Sequence, residues 1–316
     1  MTRGRVALSV LVATTTVGGV VGLGVLTEPD DDGPPVIAPA LELATVPPAE
    51  PTTTTTLPPL PALPPGGIGQ GSSGPAVTAL KERLRALHYD PGADHDRFDH
   101  ATEMAVWAFE KVLGFEATGQ VDDVLWAALD AGEDPAPLLA SGGATRVEVD
   151  KVRQVLFAYR DGELVLVTHV STGSGKRYCE DGRCGVAVTP TGGHRFLWRV
   201  AGWRTSRLGR LYQPVYFTTG GVAIHGFPSV PSYPASHGCV RIPMHIAEYF
   251  PSLVERGDPV YVFDGAQRVE PLDAPTPDEL EDLPDEIDDS LEAPPQGWLD
   301  GEPPPSTSTT IPSVLA

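Results

Sequence analysis

Ile224-His225-Gly226 and, after a ten-residue spacer from the histidine, Ser236-His237-Gly238-Cys239-Val240-Arg241 decide how this chain is read. A free thiol titrates near ~8.5, so little of it is thiolate at neutral pH, and nucleophilic chemistry needs a neighbouring imidazole to take the proton. His225 and His237 are the two candidates. Gly238 lets backbone approach a bound molecule closely, and the amides of Gly238 and Cys239 can face a developing oxyanion. Acyl transfer is the implied reaction class. A cysteine taken alone is more often a small buried hydrophobe. Nucleophile, base and oxyanion donors supplied together by one short stretch weigh against that bland reading.

These residues resemble the catalytic motif of L,D-transpeptidases, bacterial enzymes that cross-link peptidoglycan through a cysteine acyl-enzyme. In that motif a histidine and a variable spacer precede Ser/Thr-His-Gly-Cys, with a polar residue two places on. The resemblance implies that Cys239 is the nucleophile, His225 the general base, and the carbonyl of Gly226 the group that orients the imidazole. His237 and Gly238 then complete the catalytic set, and Ser236 and Arg241 sit on the substrate side. It also implies peptidoglycan stem peptides and glycan as partners, no metal or organic cofactor, and acylation by carbapenems. The spacer is short for the family, and Arg241 stands where many members carry asparagine. Arg241 is therefore read as bracing the loop and touching a substrate carboxylate through its planar fork. Water resolving the same thioester would make a carboxypeptidase or endopeptidase; a non-catalytic wall-binding protein is the other alternative. A papain-like hydrolase usually places its cysteine before its histidine, the reverse of the order here.

Working outward, residues 154–159 and 164–171 are β-rich runs flanking Arg160-Asp161-Gly162-Glu163, a hairpin turning at Asp-Gly. Further strand-like runs are 194–200, 214–219, 222–225 and 259–263, with one short helix over 243–250 that Pro251 ends or restarts. Many short strands with one or two helices predict a mainly-β sandwich, as the resemblance also implies. His225 then ends a strand and Cys239 lies on the following loop. Thr172-Gly173-Ser174-Gly175 and Thr189-Pro190-Thr191-Gly192 resemble stretches that border the family's groove, which makes Thr189 and Thr191 candidate substrate contacts. Ordinary turns are the competing reading.

Upstream, residues 67–133 carry helical periodicity: Val77, Leu80, Leu84 and Leu87, then Ala105, Val106, Phe109 and Val112, then Val124, Leu125 and Leu129. Three short helices are predicted, with Ser73 and Asp122 as N-caps. The stretch from Gly74 through Tyr89, Phe98, Thr102, Gly114, Gly119, Val121 and Trp126 to Leu129 resembles the small helical peptidoglycan-binding domain found beside wall enzymes. Wall binding is the implied role, with a structural spacer as the alternative. Asp94, His95, Asp96, Asp99 and His100 are read as a solvated turn rather than a metal site, because Asp99 serves as a helix cap.

Arg3 and Arg5 precede residues 6–26, which carry no charge; as a helix these would span roughly 31 Å at about 1.5 Å per residue. Glu28 and Asp30 to Asp32 follow, so a signal or membrane anchor over 1–28 with everything downstream exported is expected. Residues 29–66 are rich in proline and threonine and read as a tether. Export suits a disulfide between Cys179 and Cys184, which bracket a four-residue turn and leave Cys239 unpaired among the three cysteines.

The formal net charge is −20, and residues 264–316 carry 14 acidic residues against the single basic Arg268. This segment is read as an acidic disordered tail over 265–316, and an acidic chain excludes nucleic acid as a partner. The expected architecture is thus two domains: a small three-helix all-α domain over 67–133, then a mainly-β L,D-transpeptidase-like sandwich over 145–264 with one or two short helices. The expected place is the cell envelope outside the cytoplasm, membrane-anchored or secreted.

Overall fold

The computed structural model describes residues 58–282, apart from Asp181 and the side chain of Arg183. The expected membrane segment and the tail beyond 282 lie outside the described residues. Among the described residues no helix is long and apolar enough to cross a membrane.

Helices α1 (Pro75–Ala86), α2 (His100–Val112) and α3 (Asp123–Ala131) form the first region. Asp99 caps α2 by accepting from the Thr102 amide at 2.9 Å, and Asp122 caps α3 by accepting from the Leu125 amide at 2.9 Å. Ser73 does not cap α1. That helix starts at Pro75, whose missing N–H would be unsatisfied there anyway, and Ser73 pairs instead with Arg97. The three apolar faces meet around Val77, Leu80, Leu84, Val106, Phe109, Leu125 and Leu129, whereas Val124 faces solvent. Buried Arg83 donates to the carbonyls of Leu129 and Asp130 at 2.9 and 3.0 Å, satisfying the last carbonyls of α3. The end of the segment expected as a tether belongs to this domain: Leu60 and Leu63 pack on its core, Trp126 Nε1 donates to Pro61 O at 2.9 Å, and Arg83 reaches Pro58 O.

The second region has two sheets and a separate hairpin. The first sheet has the order β3 (Glu163–His169), β2 (Val155–Arg160), β1 (Arg146–Asp150), β12 (Pro259–Phe263), β6 (Gly192–Arg195), with only β1 and β12 parallel. The second has the order β11 (Val240–Ile242), β10 (Ala223–Gly226), β9 (Gly209–Tyr216), β7 (Trp198–Arg199), with β8 (Trp203–Ser206) also on β9. β10 and β11 are parallel. β4 (Arg177–Glu180) and β5 (Arg183–Val186) pair only with each other. The expected hairpin is β2 to β3, and its turn residues Asp161 and Gly162 both take positive φ, 53° and 90°.

The sandwich core is Val147, Val149, Leu156, Ala158 and Leu166 from the first sheet against Val215, Ile224, Val240 and Ile242 from the second. Two short helices, α4 (Met244–Ala247) and α5 (Phe250–Leu253), add Ile246, Ala247 and Phe250. The single predicted helix is thus split, with Pro251 inside the second turn. The other face of β2 explains why Val-Leu-Phe-Ala-Tyr is apolar throughout. Val155, Phe157 and Tyr159 point away from the sandwich and join the helical core. At about 1.5–3 kcal/mol for each fully buried side chain, this face fastens the helical domain to the first sheet. The Val167 amide donates to His88 O at 2.8 Å across the same seam.

The acidic tail begins later than the composition predicts. Val269 is buried, Leu272 lies against Gly193 and donates its amide to the Tyr261 hydroxyl at 3.0 Å, and Arg195 reaches Asp273 O. Thr276 and Glu279 then form a capping box that starts α6 (Pro277–Glu281).

Candidate active site

Parallel pairing of β10 with β11 sets His225 beside Arg241 and Ile224 beside Val240. Ile224 and Val240 fill the sandwich core, so the alternation of a strand turns His225, Arg241 and, two residues before it, Cys239 to the opposite face. All three line one cavity of about 450 Å³, together with Ser236, His237 and Gly238. The spacings in the motif are therefore strand spacings, which bring nucleophile and base candidates from separate segments onto one surface.

His225 is buried, and its Nδ1 lies 2.9 Å from the carbonyl of Gly226. A carbonyl only accepts, so Nδ1 carries the proton and Nε2 keeps its lone pair. Gly226 is needed for packing: a Cβ there would sit 2.6 Å from the Ala247 Cβ. Burial pulls the His225 pKa down to about 4, with the Gly226 carbonyl opposing and the Arg241 charge assisting. The Cys239 thiol is pushed up by burial, against the Ala223 amide and the Arg241 charge. Its hydrogen-bond partner is Gly221 O at 3.9 Å, not the imidazole. Burial thus favours the neutral form of both groups.

The loop before Cys239 is held from behind. Ser236 is buried; its hydroxyl donates to Cys239 O at 2.5 Å and accepts from the Gly238 amide at 3.0 Å. The Gly238 N–H is thereby occupied, contrary to its expected place as an oxyanion donor. Gly238 has φ of 143°, and a Cβ there would meet Val188 O at 3.0 Å. Thr189 does not line the cavity. It is buried, donates to Gly238 O at 2.7 Å and accepts from the Gly173 amide at 2.9 Å. Thr191 is also outside the cavity, bonded to Lys151 Nζ at 3.0 Å and Asp264 at 3.1 Å. Thr189 is thus a support of the loop, because a hydroxyl that satisfies buried backbone groups is turned inward, whereas Thr191 pairs with side chains away from it.

Cys179 and Cys184 are disulfide-bonded across β4 and β5. Among the described residues no cluster of histidine, cysteine or carboxylate side chains is arranged to hold a metal. In the acidic turn, His95 faces Asp99 at 3.1 Å and His100 faces Glu103 at 2.9 Å.

Comparison with solved structures gives a crystal structure of an L,D-transpeptidase, residues 123–326, from Xylanimonas cellulosilytica: 38% identity, covering 66% of this chain and 100% of that one, with a TM-score of 0.58. The chain belongs to the L,D-transpeptidase family. The model of the L,D-transpeptidase catalytic domain matches residues 144–262, and that of a peptidoglycan-binding domain matches residues 73–129. An L,D-transpeptidase from Stackebrandtia nassauensis is 22% identical over 64% of this chain and 97% of its own, with a TM-score of 0.37. One from Mycobacterium tuberculosis is 21% identical over 38% and 58%, with a TM-score of 0.33. No curated protein matches the chain. The two domains place this L,D-transpeptidase at the peptidoglycan, outside the cytoplasm.

The cavity of this L,D-transpeptidase has walls that the motif does not reveal. On one side the β4–β5 hairpin contributes Tyr178, whose ring packs edge-on against His237 at 4.9 Å between centroids. On the other the β8–β9 hairpin contributes Arg204, Arg207 and Arg210, with Tyr216 below. Arg207 at its tip donates to Glu180 O at 3.2 Å, joining the two hairpins. The alternation through Trp203-Arg204-Thr205-Ser206 and the glycine at 209 signal this hairpin in the sequence.

Proposed function

We propose that this L,D-transpeptidase uses Cys239 as its nucleophile and His225 as its general base, and forms peptidoglycan cross-links through a thioester. The observation that carries this is the 2.9 Å contact from His225 Nδ1 to Gly226 O, which leaves Nε2 as the proton acceptor in the cavity that also holds the thiol. Since burial favours the neutral form of both groups, the proton moves from Sγ to Nε2 as the sulfur attacks, rather than beforehand. The resting Sγ contact with Gly221 O is released in that step, as apo-site hydrogen bonds tighten or exchange on substrate binding.

In the first half-reaction Sγ bonds to the carbonyl carbon of an L-to-D peptide bond in a donor stem peptide. The tetrahedral oxyanion is met by the Cys239 amide, the Gly238 amide being held by Ser236. Collapse breaks the C–N bond, and the proton on His225 passes to the departing amine of the terminal D-residue. In the second half-reaction an amine of another stem attacks the thioester, His225 takes its proton, and Cys239 leaves as the thiol. Every proton taken is returned within the cycle, and the residues named supply each acid and base step. The helical domain binds glycan while the sandwich works on the peptides, and an N-terminal membrane anchor holds the whole at the envelope.

The test is product analysis after incubating the purified full chain with stem tetrapeptides. Cross-linked dimer with loss of the terminal D-residue is expected from the wild type and none from Cys239→Ala. Dimer from the alanine variant would overturn the assignment of the nucleophile.

A further inference from the structure

The stretch that leads to the nucleophile, Val230-Pro231-Ser232-Tyr233-Pro234, is poorly suited to strand pairing, because neither proline has an N–H to give. Its carbonyls are met instead by side chains from elsewhere. His169 Nε2 donates to Val230 O and Pro231 O at 3.0 and 3.1 Å, Lys111 Nζ to Ser232 O at 3.0 Å, and Ser171 Oγ to Tyr233 O at 2.8 Å. Four consecutive carbonyls are thus occupied. The amides of Ala235 and Ser236 then both donate to Thr172 O, at 3.0 and 2.9 Å, and the Ser236 hydroxyl is the group that holds Gly238 and Cys239.

Of these donors, Lys111 comes from the helical domain, in the last turn of α2. Its side chain is buried, and its other partner is His169 Nδ1 at 2.9 Å. An imidazole that accepts on Nδ1 keeps its proton on Nε2, so the ammonium also sets the tautomer with which His169 grips Val230 and Pro231. Both partners of the ammonium are neutral. Burying a charge beside neutral groups is costly, and it pulls the Lys111 pKa down to about 8. Fastening the two domains does not require that cost, since Val155, Phe157 and Tyr159 already join them by apolar contact. An apolar side chain at 111 would be unable to donate to Ser232 O and to His169 at once.

We infer that Lys111, with His169, is a positioning residue for acyl transfer: it holds the stretch 230–233 that sets Ser236 and Cys239, so the peptidoglycan-binding domain completes the catalytic unit. The inference rests on the proposed acyl transfer at Cys239 and adds to it a residue from outside the catalytic domain.

The experiment follows acylation of the full chain by a carbapenem with intact mass, over concentrations that separate the maximal rate from the concentration giving half of it. Tm is recorded for each variant. Lys111→Met is expected to lower the maximal rate roughly 10- to 100-fold, as misaimed reacting groups do, and to move the half-saturating concentration by less than about twofold. Lys111→Arg, which keeps the donors, is expected to recover part of the rate. Tyr249→Phe is the control. It removes a different bond between the domains, from the Tyr249 hydroxyl to the Asp90 carboxylate at 2.9 Å, and is expected to keep the wild-type rate. A wild-type maximal rate in Lys111→Met, or an equal loss in Tyr249→Phe, would overturn the inference. Should Lys111→Met not fold, Ser171→Ala decides, since it removes the hydroxyl that holds Tyr233 O and the Ala235 amide. A slowed maximal rate there would support the inference, and a wild-type rate would overturn it. No adduct on the wild type would overturn the acyl-transfer reading, and this inference with it.

Discussion

Lys111 Nζ, on the second helix of the peptidoglycan-binding domain, lies 2.9 Å from His169 Nδ1 at the end of β3, and both side chains are buried. The same ammonium donates to Ser232 O at 3.0 Å, and His169 Nε2 donates to Val230 O and Pro231 O at 3.0 and 3.1 Å. A lysine only donates, so His169 is neutral with its proton on Nε2. The helical domain is thereby tied to the loop that leads from His225 to Cys239.

This contact makes stability depend on pH. Burial, with the Lys111 charge adding to it, pulls His169 down to about 3, and burial pulls His225 down to about 4, both from the ordinary 6.5. Below 6.5 the unfolded chain takes up protons that the folded chain refuses, so stability falls as pH drops from 6.5 toward 4. Each histidine removes roughly 2 kcal/mol by pH 5. Thermal unfolding at pH 7 and pH 5 checks this: a lower Tm at pH 5 is expected, with a smaller drop for His169→Gln even though that variant is less stable at pH 7.

The neutral thiol and imidazole predict a distinctive pH profile. Alkylation of Cys239 by iodoacetamide should be slow at pH 7 and rise as pH passes above 9, because burial raises the thiol. Acylation by the proposed mechanism, with neutral His225 as base, should hold level between pH 6 and 8 and fall as pH drops toward about 4. An alkylation rate already at its plateau at pH 5 would reveal a preformed ion pair instead.

Thr189 offers a test of the loop support. Thr189→Val removes the donor to Gly238 O and the acceptor for the Gly173 amide, leaving buried backbone groups unpaired at a cost of about 1–3 kcal/mol. Acylation should slow by roughly tenfold or more, since the loop that aims Cys239 loses its brace. Thr189→Ser should restore most of the rate, measured alongside Tm; a threonine that only contacted substrate would raise KM and leave Tm unchanged.

How much of this was readable from sequence varies by element. His225, Cys239 and Arg241 were visible because histidine, glycine and cysteine stand together in the His-Gly and Ser-His-Gly-Cys motif, whereas β11, which carries Arg241, was not. The helices were visible because Leu80, Leu84, Val106 and Phe109 repeat at helical spacing. β1 was not, since Arg-Val-Glu-Val-Asp reads as half solvated. Its polar face is in fact buried, with Arg146 Nε paired to Glu148 at 2.7 Å and Glu148 accepting from the Leu138 amide at 2.7 Å. The continuity of the two domains hid in β2, where an unbroken apolar run does not say which of its faces meets which partner. Leu272 and Val269 were lost among the acidic residues around them, because composition averages over the few side chains that anchor a segment.

The disulfide gives a further prediction. Cys179 and Cys184 are five residues apart, so the bridge acts on the hairpin that carries Tyr178 more than on the whole fold. Replacing both by serine should lower stability by no more than about 2 kcal/mol. It should raise KM for a stem peptide several-fold, since Tyr178 packs on His237 at the cavity wall. Steady-state kinetics with unchanged KM would show that the hairpin holds its place without the bridge.

In the proposed mechanism Cys239 is the sulfur that attacks. Intact-mass measurement of the full chain after mixing with a carbapenem, followed by peptide mapping, tests it most directly. One adduct on the peptide containing Cys239, absent from Cys239→Ala and strongly slowed in His225→Gln, is the predicted result. An adduct that persists in Cys239→Ala, or one forming at the wild-type rate in His225→Gln, would contradict it.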